Sequence, residues 1–306
     1  HSIAWKLSQS ENVSEIICAP GNAGTDKIAR NINIRPEDIK SILKFALEEK
    51  PDLVLIGPEI PLSLGLTDLL QSNNILVFGP NQKAAEIESS KAFSKKLMKD
   101  ANVPTAEFEI FDNPQKAKDF VSNKDKKWVV KASGLAAGKG VIISSEKISA
   151  TEAISQIMEE NTFGNAGNIC VIEEFLEGQE ASLLVFTDGE NIFPLPPAQD
   201  HKQIFENDLG PNTGGMGAYS PAPILPINLQ KKAIESIIKP IINNLSAQGR
   251  IYRGILYAGL MIKENELKVL EFNCRFGDPE CQPIMMRIKG DLLPMLIDTA
   301  KGDISK

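Results

Sequence analysis

A glycine-rich segment between two apolar runs is the first part of the chain that could do chemistry. Residues 131–140 read KASGLAAGKG, and the apolar runs at 128–132 and 141–143 predict a strand on each side. Glycines let a backbone approach a ligand closely and expose N–H groups to an anion. The GxxxxGK[ST] pattern of a P-loop is not present. The segment is therefore either a flexible turn or a phosphate-binding loop, and Lys131 is either a surface residue or a phosphate ligand.

A second candidate is a strand that carries oxygen ligands. Residues 269–273 read VLEFN, and strand alternation predicts Val269, Glu271 and Asn273 on one face. A carboxylate and an amide oxygen two residues apart suit a hard cation such as Mg²⁺. An ordinary half-exposed strand would show the same alternation. The tight turn that follows, CRFGDPE, adds one cation and two carboxylates and favours a site.

An acidic segment follows another apolar strand. Residues 173–180 read EEFLEGQE. An extended linker after a strand can present backbone N–H and C=O groups to the edge of a purine, and a carboxylate beyond it can accept both ribose hydroxyls. Taken alone, the segment is equally well an ordinary acidic loop.

We expect a long loop rich in glycine and proline over residues 194–226. It contains QDHK at 199–202 and GPNTGGMGAYSP at 210–221. Each glycine costs chain entropy on folding, and long structured loops tend to be functional. His201 lies in it, but a lone histidine is more often structural than catalytic, and we assign it no proton transfer.

The elements that must position these residues fall into two parts. Over residues 1–82, helices alternate with short apolar runs at 16–19, 53–56 and 75–78, and Pro36 suits the first turn of a helix that runs to about residue 50. This pattern predicts an α/β unit with a parallel sheet. The unit opens with a helix, so we expect a first strand and its loop to be missing before His1.

From residue 83 the pattern becomes α+β, with antiparallel strand pairs. We expect one charged helix over residues 83–100, a helix at 151–160, strands at 169–173 and 180–186, a helix at 228–248, and strands at 254–262 and 267–273. The second part therefore spans residues 83–306.

Composition excludes several classes of protein. The 306 residues carry 33 Lys and Arg against 40 Asp and Glu, a net charge of −7, which argues against a nucleic-acid partner. The four cysteines have neither zinc-finger nor CxxC spacing, so we expect free thiols in a reducing, cytoplasmic setting. No run is long and apolar enough to span a membrane, and no cleavable targeting segment is visible.

Together these segments resemble the phosphoribosylamine–glycine ligase family of the ATP-grasp superfamily. The resemblance covers essentially the whole chain. Its most specific blocks are PGNAGT at 20–25, KASGLAAGKGV at 131–141, QDHK at 199–202, GPNTGGMGAYSP at 210–221 and RFGDPECQ at 275–282. It implies a Rossmann-like N-terminal domain over residues 1–82 and an ATP-grasp domain over 83–306, with a small lid at about 104–175. The family's further C-terminal domain is expected beyond residue 306.

The resemblance implies that ATP phosphorylates glycine and that 5-phosphoribosylamine then displaces phosphate from glycyl phosphate, in purine biosynthesis. Arg275 and Lys131 would be the catalytic residues, and Glu271 and Asn273 would hold Mg²⁺ or Mn²⁺. The implied ATP-binding residues are Lys91, Lys131, Gly134, Gly138, Gly140, Glu173, Glu174, Leu176 and Glu180. The implied substrate-binding residues are Asn22, Gly24, Thr25, Asp200, Lys202, Gly214, Gly215, Gly217 and Arg275.

Two alternatives remain open. The chain could be a module that binds ATP and Mg²⁺ without turnover, since it lacks parts of the family's sequence. It could also be another ATP-grasp enzyme, such as a carboxylase or a formate-dependent transformylase, although the 275–280 turn and the 210–221 loop argue against that. We expect small-molecule substrates, no membrane or nucleic-acid partner, and a monomer or weak homodimer.

Overall fold

The computed structural model describes residues 1–122, 126–136, 138–144, 148–160, 162–206 and 209–304, with the backbone only at 211 and 212. Two pairs of short parallel strands lie in its N-terminal part. β1 (Ile17–Cys18) pairs with β2 (Arg30–Asn31), and β3 (Val54–Leu55) pairs with β4 (Val77–Phe78). The parallel arrangement predicted for this part is confirmed, because both pairs run parallel and three of the four strands come from the predicted apolar runs.

Four helices belong to the same part of the chain: α1 (Ser2–Leu7), α2 (Ile39–Glu49), α3 (Glu59–Ser63) and α4 (Leu66–Gln71). The predicted start of α2 at Pro36 is wrong. Asp38 is the N-cap instead, and its carboxylate accepts a hydrogen bond of 3.0 Å from the backbone N–H of Ser41.

The helix predicted over residues 83–100 is two helices, α5 (Gln82–Ser89) and α6 (Lys91–Asp100). Ser90 separates them because its backbone is extended, with φ −138° and ψ 101°. Its hydroxyl caps α6 by accepting from the Phe93 N–H at 3.2 Å. The break places Lys91 at the first position of α6.

A four-stranded antiparallel sheet, here called the smaller sheet, follows. Its strands are β5 (Phe108–Phe111), β6 (Trp128–Ala132), β7 (Val141–Ile143) and β8 (Cys170–Glu174), in the order β5-β8-β6-β7. Helices α7 (Pro114–Ser122) and α8 (Ala150–Met158) pack on it. Ser149 and Glu152 form a capping box at the start of α8. The strands predicted around the glycine-rich segment are confirmed.

The larger antiparallel sheet, here called the central sheet, has the order β10-β9-β13-β14. Its strands are β9 (Gln179–Thr187), β10 (Ile192–Pro194), β13 (Gly254–Lys263) and β14 (Glu266–Asn273). Its helices are α9 (Ile227–Ala233), α10 (Lys239–Ala247), α11 (Cys281–Arg287) and α12 (Leu293–Lys301), and a π-helical turn, Ile234–Ile238, joins α9 to α10.

The long loop predicted over residues 194–226 is wrong in its central part. β11 (Gln199–Phe205) and β12 (Leu209–Tyr219) form an antiparallel hairpin there. Glycine has a low strand propensity, which hides the hairpin in the sequence. The pairing register shifts twice along it, between His201 and Gln203 and again between Gln203 and Phe205.

One hydrophobic cluster joins the two parts of the chain. It contains Leu66 and Leu70 of α4 together with Leu256 and Leu260 of β13, all at most 3% exposed. Because their side chains share one core, the N-terminal part is held against the central sheet. None of the helices in the described residues is long and apolar enough to cross a membrane.

Candidate active site

Strand β14 carries the two predicted metal ligands at the edge of the central sheet. A β-bulge interrupts its pairing with β13, since Gly259 pairs with Glu271 but Leu260 pairs with Val269. The bulge changes the alternation of side chains, so Val269 and Phe272 both lie in the hydrophobic core. The prediction that Val269 shares a face with Glu271 and Asn273 is therefore wrong. Glu271 and Asn273, which follow the bulge, remain two residues apart on one face.

Four cations lie close enough to the Glu271 carboxylate to act on its ionisation. Burial would raise its pKa, but the charges of Lys202, Lys131, Lys91 and Arg275 together hold that pKa below its usual value. The carboxylate is therefore ionised at neutral pH. Among the described residues it takes part in no hydrogen bond and no ion pair within 4 Å, so its oxygens face the site without a direct protein partner.

The donor set of this site fits a cation that shares its ligands with a substrate. Among the described residues, no group of three or more His, Cys, Asp or Glu side chains is arranged to hold a metal ion. Glu271 and Asn273 supply oxygen donors of the kind that Mg²⁺ and Mn²⁺ prefer. The Asn273 amide is satisfied when its nitrogen faces Glu88 Oε1 and Phe272 O, each at 3.2 Å. Two protein donors leave most of an octahedral shell to phosphate oxygens and water.

Lys131 enters the site at the end of β6 and is 6% exposed. Its Nζ donates to the carbonyl of Leu270, the bulge residue, at 3.2 Å and lies 3.0 Å from Glu173 Oε1. The other Glu173 oxygen lies 2.9 Å from the Nζ of Lys95, which also donates to Thr105 Oγ1 at 2.7 Å. Glu173 thus holds two buried lysines and fixes Lys131 beside the strand that carries Glu271.

Lys91 joins α6 to the glycine-rich loop. Its backbone N–H donates to Ser133 O at 2.8 Å, and its Nζ lies 3.5 Å from Gly134 O. Burial lowers the pKa of Lys91, the nearby Lys131 charge adds to that effect, and Glu271 opposes it. A partly desolvated ammonium of this kind interacts more strongly with an incoming phosphate than one in water.

The glycine-rich loop, residues 133–140, turns between β6 and β7. Ala137 within it lies outside the described residues. A Cβ on Gly134 would lie 2.7 Å from the Cα of Ala166, so glycine is needed there to let two backbones pack. Gly138 has open space around it, and Gly140 O accepts from the Ala132 N–H at 2.8 Å.

The predicted purine-binding segment lies after β8. Glu173 is paired on both sides within the smaller sheet, and the Glu174 N–H donates to Glu107 O at 3.0 Å. The Glu174 carboxylate is held by Lys268 Nζ at 2.8 Å. Among the described residues, no hydrogen bond engages the backbone of Leu176. The backbone N–H and C=O of Leu176 are therefore available for a purine edge.

Glu180, at the start of β9, is connected to the β11–β12 hairpin. Lys202 Nζ lies 3.2 Å from Glu180 Oε2 and 3.8 Å from Asp200 Oδ2. Burial would lower the pKa of Lys202, but Glu180, Asp200 and Glu271 raise it above its usual value. Burial raises the pKa of Asp200, and the Glu280 and Glu180 charges add to this, while Lys202 opposes it.

The same hairpin packs against the turn that carries Arg275. Gly215 has φ +124°, and a Cβ there would lie 2.6 Å from Pro279 Cδ. Gly214 and Gly217 have no atom within 4 Å of the place where a Cβ would be. Glycine is therefore required at 215 by both conformation and space, while the other two leave room above the hairpin.

Arg275 is held by carboxylates from two helices. Its Nε donates to Glu59 Oε2 at 3.2 Å, and its Nη2 lies 3.0 Å from Glu88 Oε1. Nη1 donates to Phe276 O at 3.2 Å. A guanidinium has five N–H groups, so this arrangement leaves two of them for a substrate oxyanion.

The loop that contains Asn22, Gly24 and Thr25 is built by its own hydrogen bonds. Asn22 Oδ1 accepts from the N–H groups of Gly24 at 2.8 Å and Thr25 at 3.1 Å. Thr25 Oγ1 accepts from the Asn22 N–H at 2.7 Å. No hydrogen bond or ion pair among the described residues joins this loop to Asp200, Lys202 or the hairpin glycines.

Sequence reasoning missed Lys95, Glu59 and Glu88. Lys95 lies four residues after Lys91 on α6, and that spacing could have indicated a second lysine on the same helix face. Glu59 and Glu88 gave no signal in the sequence. A cavity of about 490 Å³ opens beside residues 102–109, but none of the residues predicted to bind a ligand lines it.

Comparison with known proteins covers both parts of the chain. The family model "Phosphoribosylglycinamide synthetase, N domain" matches residues 1–88, and "Phosphoribosylglycinamide synthetase, ATP-grasp (A) domain" matches residues 89–281. Phosphoribosylamine–glycine ligase of Haemophilus influenzae is 45% identical over 309 residues, 100% of this chain and 72% of the relative. The human trifunctional purine biosynthetic protein adenosine-3 is 47% identical over 306 residues, 99% of this chain and 30% of that protein.

Solved structures agree with the sequence matches. The crystal structure of phosphoribosylamine–glycine ligase from Thermotoga maritima superposes with a TM-score of 0.86 at 30% identity, covering 100% of this chain and 74% of that one. A biotin carboxylase from Campylobacter jejuni, 20% identical with a TM-score of 0.76 over 98% of this chain and 69% of its own, shares the fold. The resemblance and the fold class predicted from sequence are confirmed, and the chain belongs to the phosphoribosylglycinamide synthetase, or phosphoribosylamine–glycine ligase, family.

Proposed function

We propose that this chain uses ATP to join glycine to 5-phosphoribosylamine, forming glycinamide ribonucleotide, ADP and phosphate. The observation that carries the proposal is that the charges of Lys91, Lys131, Lys202 and Arg275 act on the Glu271 carboxylate, with Lys131 held 3.2 Å from the carbonyl of the neighbouring Leu270. Several cations that can contact phosphate oxygens, together with a carboxylate that can hold a metal ion, match a triphosphate with a divalent cation. Family membership supports the same reaction.

In the first step a carboxylate oxygen of glycine attacks the γ-phosphorus of ATP, and the bond to the β-phosphate oxygen breaks to give ADP. Lys91 and Lys131 neutralise the α- and β-phosphates, and the glycine-rich loop covers them. Arg275 offers its two remaining N–H groups to the oxyanion of glycine and of the acyl phosphate. These groups are held in place before the reaction, so they stabilise developing charge without reorganising.

In the second step the amine of 5-phosphoribosylamine attacks the carbonyl carbon of glycyl phosphate. The C–N bond forms, the C–O bond to phosphate breaks, and the amine loses a proton. Glu271 and Asn273 would hold Mg²⁺ or Mn²⁺, which supplies charge neutralisation between the phosphates.

The remaining residue roles follow the same proposal. Glu180 accepts the ribose hydroxyls of ATP, Leu176 and its neighbours Glu173 and Glu174 frame the adenine, and Gly134, Gly138 and Gly140 line the phosphates. The phosphoribosylamine pocket is formed by Asn22, Gly24, Thr25, Asp200, Lys202, Gly214, Gly215 and Gly217. We further propose a domain division near residue 82, a lid over about 104–175, a cytoplasmic location, and a monomer or weak homodimer.

An ADP-release assay with glycine and freshly made phosphoribosylamine, each omitted in turn, tests the proposal. We expect ADP release to require both substrates and a divalent cation. ATP binding without ADP release would instead favour the binding module without turnover. Release that requires bicarbonate or formate in place of glycine would identify another ATP-grasp enzyme.

A further inference from the structure

Glu88 is the buried carboxylate of α5, and it faces three consecutive residues, of which the first is the last residue of β14. Its side chain is 7% exposed. It lies outside every motif that the sequence singled out, and nothing in the reaction described above uses it. Its surroundings nevertheless consist of the proposed metal ligand, the proposed anion-binding arginine, and the residue between them.

Each oxygen of Glu88 has a defined partner. Oε2 accepts the backbone N–H of Cys274 at 2.7 Å. Oε1 lies 3.0 Å from Arg275 Nη2 and 3.2 Å from the nitrogen of the Asn273 amide in its satisfied orientation. One carboxylate therefore fixes the amide of residue 273, the backbone of residue 274 and the guanidinium of residue 275.

We propose that Glu88 is a positioning residue that fixes the orientations of the Asn273 amide and the Arg275 guanidinium relative to each other. This inference rests on the roles proposed above for Asn273 and Arg275. With the amide nitrogen held by Glu88, the amide oxygen is the atom left to ligate a cation, so the carboxylate selects the orientation in which Asn273 can act as a metal ligand. The same carboxylate aims the guanidinium, so metal binding and anion binding depend on one side chain.

The geometry around Glu88 also explains why a carboxylate is needed. An amide at this position has a single oxygen, so when that oxygen accepts the Cys274 N–H, the amide nitrogen faces the Arg275 and Asn273 nitrogens as a donor facing donors. Glutamine is close to glutamate in size, so the Glu88→Gln substitution changes the electrostatics while keeping the acceptor for the Cys274 N–H.

Mn²⁺ binding in the presence of ADP, followed by electron paramagnetic resonance of the free ion, tests the inference directly. We expect the dissociation constant for Mn²⁺ to rise about 10- to 100-fold in Glu88→Gln, the usual effect of losing a residue that orients a metal ligand. The KM for glycine should rise as well, because Arg275 loses its orientation. The matched control is Glu86→Gln, two residues away on α5, where the carboxylate pairs with Arg250 at 2.6 Å outside the site.

The outcomes separate the inference from the proposed function. A folded Glu88→Gln protein with a lower melting temperature but wild-type Mn²⁺ binding and KM would show a structural role only and overturn the inference. If the wild-type chain binds no Mn²⁺ with ADP and releases no ADP in the full assay, the proposed function fails instead. If Glu88→Gln does not fold, Glu88→Asp is the second variant, since it keeps the charge but shortens the side chain by one methylene. The same weakening of Mn²⁺ binding is expected for it. Wild-type Mn²⁺ binding by Glu88→Asp would again overturn the inference.

Discussion

The buried charge cluster of Lys95, Glu173 and Lys131 makes Glu173→Gln an informative perturbation of the site. The three side chains are at most 8% exposed, and Glu173 lies 2.9 Å from Lys95 and 3.0 Å from Lys131. Coulomb's law at an effective dielectric constant of about 20 gives about 6 kcal/mol of attraction for each contact, which the desolvation of the ions partly offsets. Breaking a buried ion pair by removing one partner costs about 3 to 5 kcal/mol. We expect the free energy of unfolding to fall by that amount in Glu173→Gln.

Urea unfolding at neutral pH, followed by circular dichroism, measures the loss. The control is Glu177→Gln, because Glu177 and its partner Lys263 are 71% and 56% exposed and such a pair contributes less than about 1 kcal/mol. In the folded protein the KM for ATP should also rise, since Lys131 loses the carboxylate that holds it beside Leu270.

A second substitution tests whether buried charge is the cause. Lys95→Met in the Glu173→Gln protein removes one of the two lysines left without a carboxylate, so the double variant should be more stable than Glu173→Gln alone. The reasoning is refuted if Glu173→Gln is no more destabilising than Glu177→Gln, or if Lys95→Met restores none of the lost stability.

Three further predictions concern catalysis and pH. Glu271→Gln should lower ADP release by about 100-fold or more with an unchanged circular dichroism spectrum, because the metal loses its only charged protein ligand; unchanged release would remove Glu271 from the site. Lys131→Ala should raise the KM for ATP about 10-fold or more, as expected for a lost charge-assisted hydrogen bond; a wild-type KM would mark the lysine as structural. Burial, with a smaller contribution from the Lys131 charge, lowers the pKa of Lys95 to about 8, although Glu173 opposes this. The folded chain then binds fewer protons than the unfolded chain from about pH 8 to the usual lysine pKa of about 10.4, so this lysine makes the unfolding free energy rise with pH there, by up to about 1.4 kcal/mol per unit. Lys95→Met should lack that rise in urea curves taken between about pH 7.5 and pH 9.5, and parallel pH dependences of the two proteins would contradict it.

Much of the fold could be predicted because its signals are local. Apolar runs of strand length marked β3, β6, β8, β13 and β14, since a buried strand must present apolar side chains wherever it is covered. The hairpin of β11 and β12 could not be predicted. The glycines of β12 have no side chains that could show the apolar–polar alternation of a strand. The bulge at Leu270 could not be predicted either, since it depends on how β14 pairs with β13.

In the candidate site, too, some features could be predicted from local sequence and others depend on tertiary contacts. The residue types that can hold phosphate and metal, such as Lys131, Glu271 and Asn273, stand in short motifs, and their chemistry is a property of the residues themselves. The residues that hold these side chains in place do not stand in such motifs. Glu88 and Cys274 are 186 residues apart, and Glu59 and Arg275 are 216 apart.

By itself the sequence determined many of the strands and helices, the family, and the side chains that can bind an anion or a cation, because these depend on residue type and on near neighbours in the chain. The tertiary structure alone decided that Glu173 lies between two lysines and that Glu88 faces the end of β14. Such contacts arise when separate layers pack around a shared core, and no local propensity encodes which distant carboxylate the packing brings to a given cation.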